Sequence, residues 1–275
     1  MIAAVGKPGG GYQFFDLTAE IVPYGEIPPS EQGEFGLLVH DDGAKTEVIF
    51  PSLPLTANRI KTTLVGSLTA DGAFRGRWTS IGTGNMQYSM RGSMSSTTKP
   101  DSTERARRLQ AWANSVVAGS SGDSLELFDG RDLNAVPRYA LVVRGGKLLT
   151  DAGSSAVLEL PIRNIANPTL VKTLEARGPR KMPIDAGKVS GNGEYLSELR
   201  LTLPAGWRAK LPDNVQARSV FGTYEATYAQ VGKELRITRR YVGATGVFGV
   251  KYYRELLDWL GAKGSDDVKV IVLEK

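Results

Sequence analysis

A chain of 275 residues with no cysteine and one histidine, His40, lacks a thiol nucleophile, cannot form a disulfide and offers little material for base catalysis or zinc ligation. Its hydrophobic fraction of 41% suffices for real cores, and it has no apolar run of about 18 residues that would cross a bilayer as a helix. The net charge of +5 and pI near 9.3 raise the question of a polyanionic partner, but the basic residues are scattered, and no nucleic-acid partner is expected.

In chain order, residues 1–5 are small and apolar, with no basic region before them and a Gly-rich run directly after, which is not the form of a signal peptide. Pro51 and Pro54 interrupt the pattern and mark a boundary, giving a first region over 1–50. A middle region over 51–160 opens with a hairpin. Ile60, Thr62 and Leu64 alternate with polar neighbours, Asp71-Gly72 turns the chain, and Phe74 and Trp78 share a face of the return. The stretch 93–102 is small, polar and contains Pro100, as a flexible connector would. Leu109, Trp112, Ala113, Val116 and Val117 then fall at helical spacing, with Ser102 or Asp101 as cap and Gly119 as stop, predicting an amphipathic helix over 102–118.

The third region, 161–275, also speaks mainly in period two. Residues 187–193 read as a long hairpin loop, and Leu199, Leu201 and Leu203 as a strand ended by Pro204. Tyr224 and Tyr228 share a face, Gly232-Lys233 turns, and Leu235, Ile237 and Tyr241 return. Arg236 and Arg240, in the densest basic cluster with Arg239, sit on the opposite face of that run, as solvated side chains do. Tyr253, Leu256, Leu257 and Leu260 predict a packing helix over 251–261, ended by Gly261 and Gly264, and Val268, Val270 and Val272 a last strand.

The chemistry-bearing residues do not assemble into a catalytic set. Asp129, Asp132 and Asn134 cluster as calcium ligands might, but miss the alternation and the final acidic ligand, so turn chemistry is expected and no metal or cofactor is assigned. Gly243, Gly246 and Gly249 match no nucleotide fingerprint. Asp41-Asp42 and Asp266-Asp267 read as turn carboxylates without a role. His40 stands beside Asp41 at a strand end, with no serine motif to activate.

One segment carries more. Residues 12–18 place Asp16-Leu17-Thr18 directly after an aromatic strand, followed by Tyr24-Gly25-Glu26-Ile27-Pro28, Gly33 and Leu37-Leu38-Val39. This pattern resembles the end of a bacterial transglutaminase-like core of papain-like fold. Leu203-Pro204-Ala205-Gly206-Trp207, Leu211-Pro212, Phe221-Gly222 with Tyr224, and the 253–260 helix resemble the β domain that follows such cores in envelope proteins. The resemblance implies a Cys-His-Asp triad in which Asp16 is the aspartate that orients the histidine. The family's histidine would immediately precede Met1, making Met1 an internal methionine of a longer protein.

The expected fold is therefore mainly β: sandwich-like domains with two packing helices, preceded by the terminal strands of a truncated papain-like core. The chain as given is expected to be inactive, since an orienting aspartate has no task without imidazole and thiolate. Its implied partner is the missing N-terminal part of its own core, and its implied location the periplasm or cell envelope. The rival reading is a stand-alone β module binding a glycan, peptide or partner protein, for which Trp78, Trp207 and Trp259 are candidate contacts. A purely structural spacer is a third.

Overall fold

Alternation of apolar and polar side chains produces eighteen strands among the residues that the computed structural model describes, 2–95, 102–161 and 170–275. Near the N-terminus β1 (Ile2–Gly6) pairs with β2 (Tyr12–Asp16), and β3 (Phe35–Val39) with β4 (Lys45–Ile49), as two separate antiparallel hairpins. The hairpin predicted around Asp71-Gly72 is β5 (Arg59–Leu68) with β6 (Ala73–Thr83), Leu64 standing opposite Trp78. Gly66 and Gly76 face each other within it, and a Cβ at either would come within 2.6 Å of the Phe74 ring, so glycine is required for that ring to lie flat across both strands.

Two helices follow, α1 (Met86–Ser95) and α2 (Ser102–Val116). The second matches the predicted amphipathic helix, with Ala113 and Val117 buried and Gly119 leaving it at φ +73°. Of the predicted 93–102 connector, Ser93 belongs to α1, and 96–101 lie outside the described residues. The chain continues through β7 (Ser120–Glu126), β8 (Arg138–Lys147), β9 (Leu149–Ala152), β10 (Ser155–Glu159), α3 (Leu170–Ala176), β11 (Ile184–Asp185) and α4 (Ala186–Ser190). The predicted hairpin loop over 187–193 is therefore not one: Asp185 accepts a hydrogen bond from the Lys188 amide and caps a short helix there.

The remainder is β12 (Glu194–Thr202), β13 (Arg208–Lys210), β14 (Val215–Ser219), β15 (Gly222–Val231), β16 (Glu234–Gly243), β17 (Val247–Phe248), α5 (Tyr253–Asp267) and β18 (Val270–Glu274). Helix α5 does not stop at Gly261 but runs six residues further, because its last turn carries buried side chains that the core holds in place. The final strand buries Ile271 and Leu273 and turns Val270 outward, the reverse of the face the valines predicted; hydrophobicity alone does not fix which of two apolar parities faces in.

An eight-stranded sheet in the order β14-β15-β16-β12-β5-β6-β8-β7 dominates the molecule. All its pairings are antiparallel except β5 with β12, parallel from Arg59↔Glu194 to Ser67↔Thr202. That pairing, and β10 with β18 in the smaller sheet β13-β18-β10-β9, join the stretch 51–160 to the stretch 161–275 in shared sheets. The fold is mainly β. Inward positions such as Leu64, Leu141, Leu199, Leu201, Leu235 and Tyr224 form one core with Ala113 of α2, Leu158 of β10, Ile271 of β18 and Leu256 of α5. The opposite parity is polar and ion-paired, as in Lys61–Glu198, Arg240–Glu194 and Arg77–Glu126, so Arg236 and Arg240 are solvated as expected.

Candidate functional site

On the inward face of the large sheet, three lateral rows of residues stand in register. One is apolar: Ile237, Leu199, Leu64 and Trp78. The next is not. Arg239, Ser197, Thr62 and Ser80 are consecutive partners across four strands and lie at positions where neighbouring rows carry large side chains. A third row sets Tyr241 beside Tyr195 beside Ile60. Small hydroxyl residues at core-facing positions leave volume unfilled, and the packed layer above does not close it.

The result is a cleft of about 740 Å³. Thr62, Ser197, Trp78, Tyr195 and Tyr241 form its floor. The C-terminal end of α2, with Val117 and Ala118 just after it, makes one wall, and Leu148 with residues 159–161 another. Val189 comes from α4 and Lys263 from α5. Tyr195 and Tyr241 stack with ring centroids 5.3 Å apart, and Trp78 packs against Tyr139, which in turn meets Trp112. Burial pushes the Tyr195 phenol above its ordinary pKa.

Lys263 is the chemically distinctive group. It is 9% exposed, and its Nζ sits 3.9 Å from the centre of the Tyr241 ring and 5.5 Å from that of Trp259. Burial pulls its pKa below the ordinary lysine value, against the opposing pull of Asp267. Among the described residues no carboxylate lies within ion-pair distance, 4.0 Å, of this ammonium.

The position of Lys263 is fixed one turn later in the helix. Asp266 is buried and accepts hydrogen bonds from the hydroxyls of Tyr224 and Tyr228, each at 2.6 Å, from Arg239 Nε at 2.9 Å, and an ion pair from Lys269 at 3.0 Å. Arg239 Nη2 also donates to the Asp266 carbonyl at 2.8 Å, and its Nη1 lies 3.9 Å from Asp267. Burial would raise the Asp266 carboxyl, but the two tyrosine hydroxyls and the guanidinium hold it below the usual carboxylate range. Burial, and then the same hydrogen bonds, drive both tyrosines well above their normal pKa. Asp266 and Asp267 are thus not turn carboxylates: alternation puts Arg239 on the core face, and the core has to neutralise it.

The residues singled out from sequence lie elsewhere. Asp16 Oδ1 accepts from the Thr18 amide at 2.9 Å and its hydroxyl at 2.7 Å, an Asx turn that lowers its pKa. Burial, and then the charge of Asp16, raise the Glu31 carboxyl nearby. His40 bonds Thr46 Oγ1 through Nε2 at 2.8 Å. Neither Asp16 nor His40 lines the cleft. Asp129 and Asp132 accept from the amides of Arg131 and Asn134 as turn residues, and the carbonyls of their loop bind the buried guanidinium of Arg91, with Asp132 and Ala135 each at 2.8 Å. Among the described residues no three acidic or histidine side chains converge on a metal position. Of Trp78, Trp207 and Trp259, Trp78 lines the cleft, while Trp259 is buried in the core.

Sequence reading missed Lys263, Tyr195, Thr62 and Ser197 as a group, because they come from different strands and a helix whose register sequence does not specify. One signal was present: Thr62 and Ser197 sit in apolar alternations where a large residue is the norm. No protein-family model, no curated protein and no solved structure matches the chain, so the transglutaminase-like resemblance rests on its motifs alone and the cleft has to be interpreted from its own chemistry.

Proposed function

We propose that this chain is a binding protein whose aromatic cleft takes up a small organic molecule, without a bond-breaking step. The observation that carries this reading is the pair of small hydroxyl residues Thr62 and Ser197 on the floor of an open cleft of about 740 Å³, in sheet register with Arg239 and Ser80 to either side, inside a layer that is otherwise packed with apolar side chains. Volumes of this size hold drug-sized ligands, and a lining that joins aromatic and aliphatic faces to a few convergent polar groups is the usual form of such sites. Flat faces at Tyr195, Tyr241 and Trp78 supply stacking area, and Thr62 and Ser197 supply hydroxyls that fix orientation. The reading belongs to the binding-module alternative rather than to the truncated-enzyme one.

The neutral dye N-phenyl-1-naphthylamine tests it. Saturable, one-to-one fluorescence enhancement with energy transfer from tryptophan is expected for the protein, and its loss in Ser197→Phe and in Thr62→Phe, both checked for an unchanged circular dichroism spectrum. Absence of saturable binding, or equal binding by folded variants with the cleft filled, refutes the reading.

A further inference from the structure

We infer that the ligand is a neutral aromatic carbonyl compound whose oxygen accepts a hydrogen bond from the ammonium of Lys263. This rests on the cleft being a binding site.

The polar groups at the cleft have hydrogen bonds still to make. An ammonium carries three N–H donors and no acceptor. That of Lys263 is nine-tenths buried and lines the cleft, yet among the described residues no oxygen accepts a hydrogen bond from it. Its near contacts are ring faces, Tyr241 at 3.9 Å and Trp259 at 5.5 Å from the centroids. Such faces attract the charge but replace a carbonyl oxygen poorly as partners for N–H groups. The hydroxyls of Thr62 and Ser197 on the floor also have no hydrogen-bond partner among the described residues. Ser197 lies two residues along β12 from Tyr195, the register partner of Tyr241, so a hydroxyl stands diagonally across from the ring that Lys263 overlies. An oxygen brought in by the ligand supplies the acceptor that this end of the cleft lacks.

The balance of buried charge makes that ligand neutral. Around α5 four charged side chains are at least nine-tenths buried, Arg239 and Lys263 against Asp266 and Asp267. Asp266 lies 2.9 Å from Arg239, and Asp267 is the carboxylate whose charge acts on Lys263. An anion in the cleft would add a charge without a match, and would meet the negative end of the α2 dipole in the wall. A cation would meet Lys263 itself. The other charged groups of the lining, Lys147 and Glu159, are exposed and opposite in sign. A carbonyl group provides an acceptor without a charge, and an aromatic body gives Tyr195, Tyr241 and Trp78 a flat face to pack against.

Three naphthalenes of nearly one shape separate the possibilities as competitors of bound N-phenyl-1-naphthylamine. They are 2-acetonaphthone, 2-isopropenylnaphthalene, in which a methylene replaces the carbonyl oxygen, and the anion 2-naphthoate. The ratio of ketone to alkene affinity is expected to fall about tenfold in Lys263→Met and to stay unchanged in Arg200→Met, on the outer face of the sheet. Naphthoate is expected to bind more weakly than the ketone. In the unsubstituted protein, the infrared carbonyl stretch of bound, isotope-labelled ketone should lie below its value in hexane. An unchanged ratio in a Lys263→Met protein that still binds the dye saturably overturns the hydrogen-bond assignment and leaves the cleft standing, and so does a carbonyl stretch at the hexane value. Naphthoate binding more tightly than the ketone overturns the neutral class. Failure of the dye to bind the unsubstituted protein removes the cleft reading and this inference with it.

Discussion

Arg239 and Asp266 meet across the core with Nε 2.9 Å from Oδ2, the arginine on a central strand and the aspartate in the last turn of α5, both buried. The pair ties the end of the helix to the sheet. It also explains why the helix runs through Gly261 and Gly264, since an ionised side chain on the core face of β16 requires a carboxylate from the layer above.

Removing one partner is expected to be severe. Asp266→Asn should cost about 3 kcal/mol or more in urea unfolding, because Arg239 is left buried without its carboxylate. The double variant Arg239→Met, Asp266→Leu should recover much of that loss, since two apolar side chains bury without the desolvation penalty. The Asp266 carboxyl has a lower pKa folded than its unfolded value of 3.8, so its stabilisation is complete above that value and is lost as pH falls through the folded one. The wild type should therefore lose stability in acid more steeply than the double variant, as measured by urea midpoints along a pH series.

Gly261→Ala should stabilise the protein by about 0.5 to 1 kcal/mol. Gly261 lies inside α5 with helical, not positive, φ, and a Cβ there meets no atom within 4 Å outside its own helix backbone. A helix that ended at this glycine in a left-handed cap would be destabilised by the same change, so thermal unfolding decides between the two.

Lys263→Met should raise stability by about 1 kcal/mol, because an ammonium that is nine-tenths buried gives way to an apolar side chain. The sign of the pH effect follows from the direction of its shift. Folded, Lys263 binds its proton less tightly than the 10.5 of the unfolded chain, so between the two values the native state holds fewer protons and stability rises with pH. The difference in unfolding free energy between variant and wild type should shrink as pH rises toward 10.5, and a constant difference would refute this.

Arg91→Lys should loosen the loop around residues 129–135 although charge is kept. The guanidinium bridges the Asp132 and Ala135 carbonyls, each at 2.8 Å, while its Nε donates to Gln87. An ammonium is a point donor that cannot span them, and the carbonyls lose partners in a buried site. The expected outcome is a loss of about 2 kcal/mol and faster cleavage within 129–135 in limited proteolysis.

Sequence by itself determined the local part of this structure. Alternation at Ile60–Leu64, Leu199–Leu203 and Tyr224–Tyr241 gave strands whose inward faces are as read, turn glycines located the hairpins, and the apolar spacing of residues 109–117 and 253–260 gave two helices that pack on the core. These signals are short-range, and each segment carries its own. The polar stripe, the cleft and the pairing of Arg239 with Asp266 depend instead on register between strands distant in the chain, above all β5 beside β12, where Thr62 meets Ser197. A shift of one residue in that pairing would carry the hydroxyls to the outer face and close the cleft. Sequence placed the charged and hydroxyl residues in strands and a helix, but the burial that lowers the pKa of Lys263 exists only once tertiary packing has removed water from it.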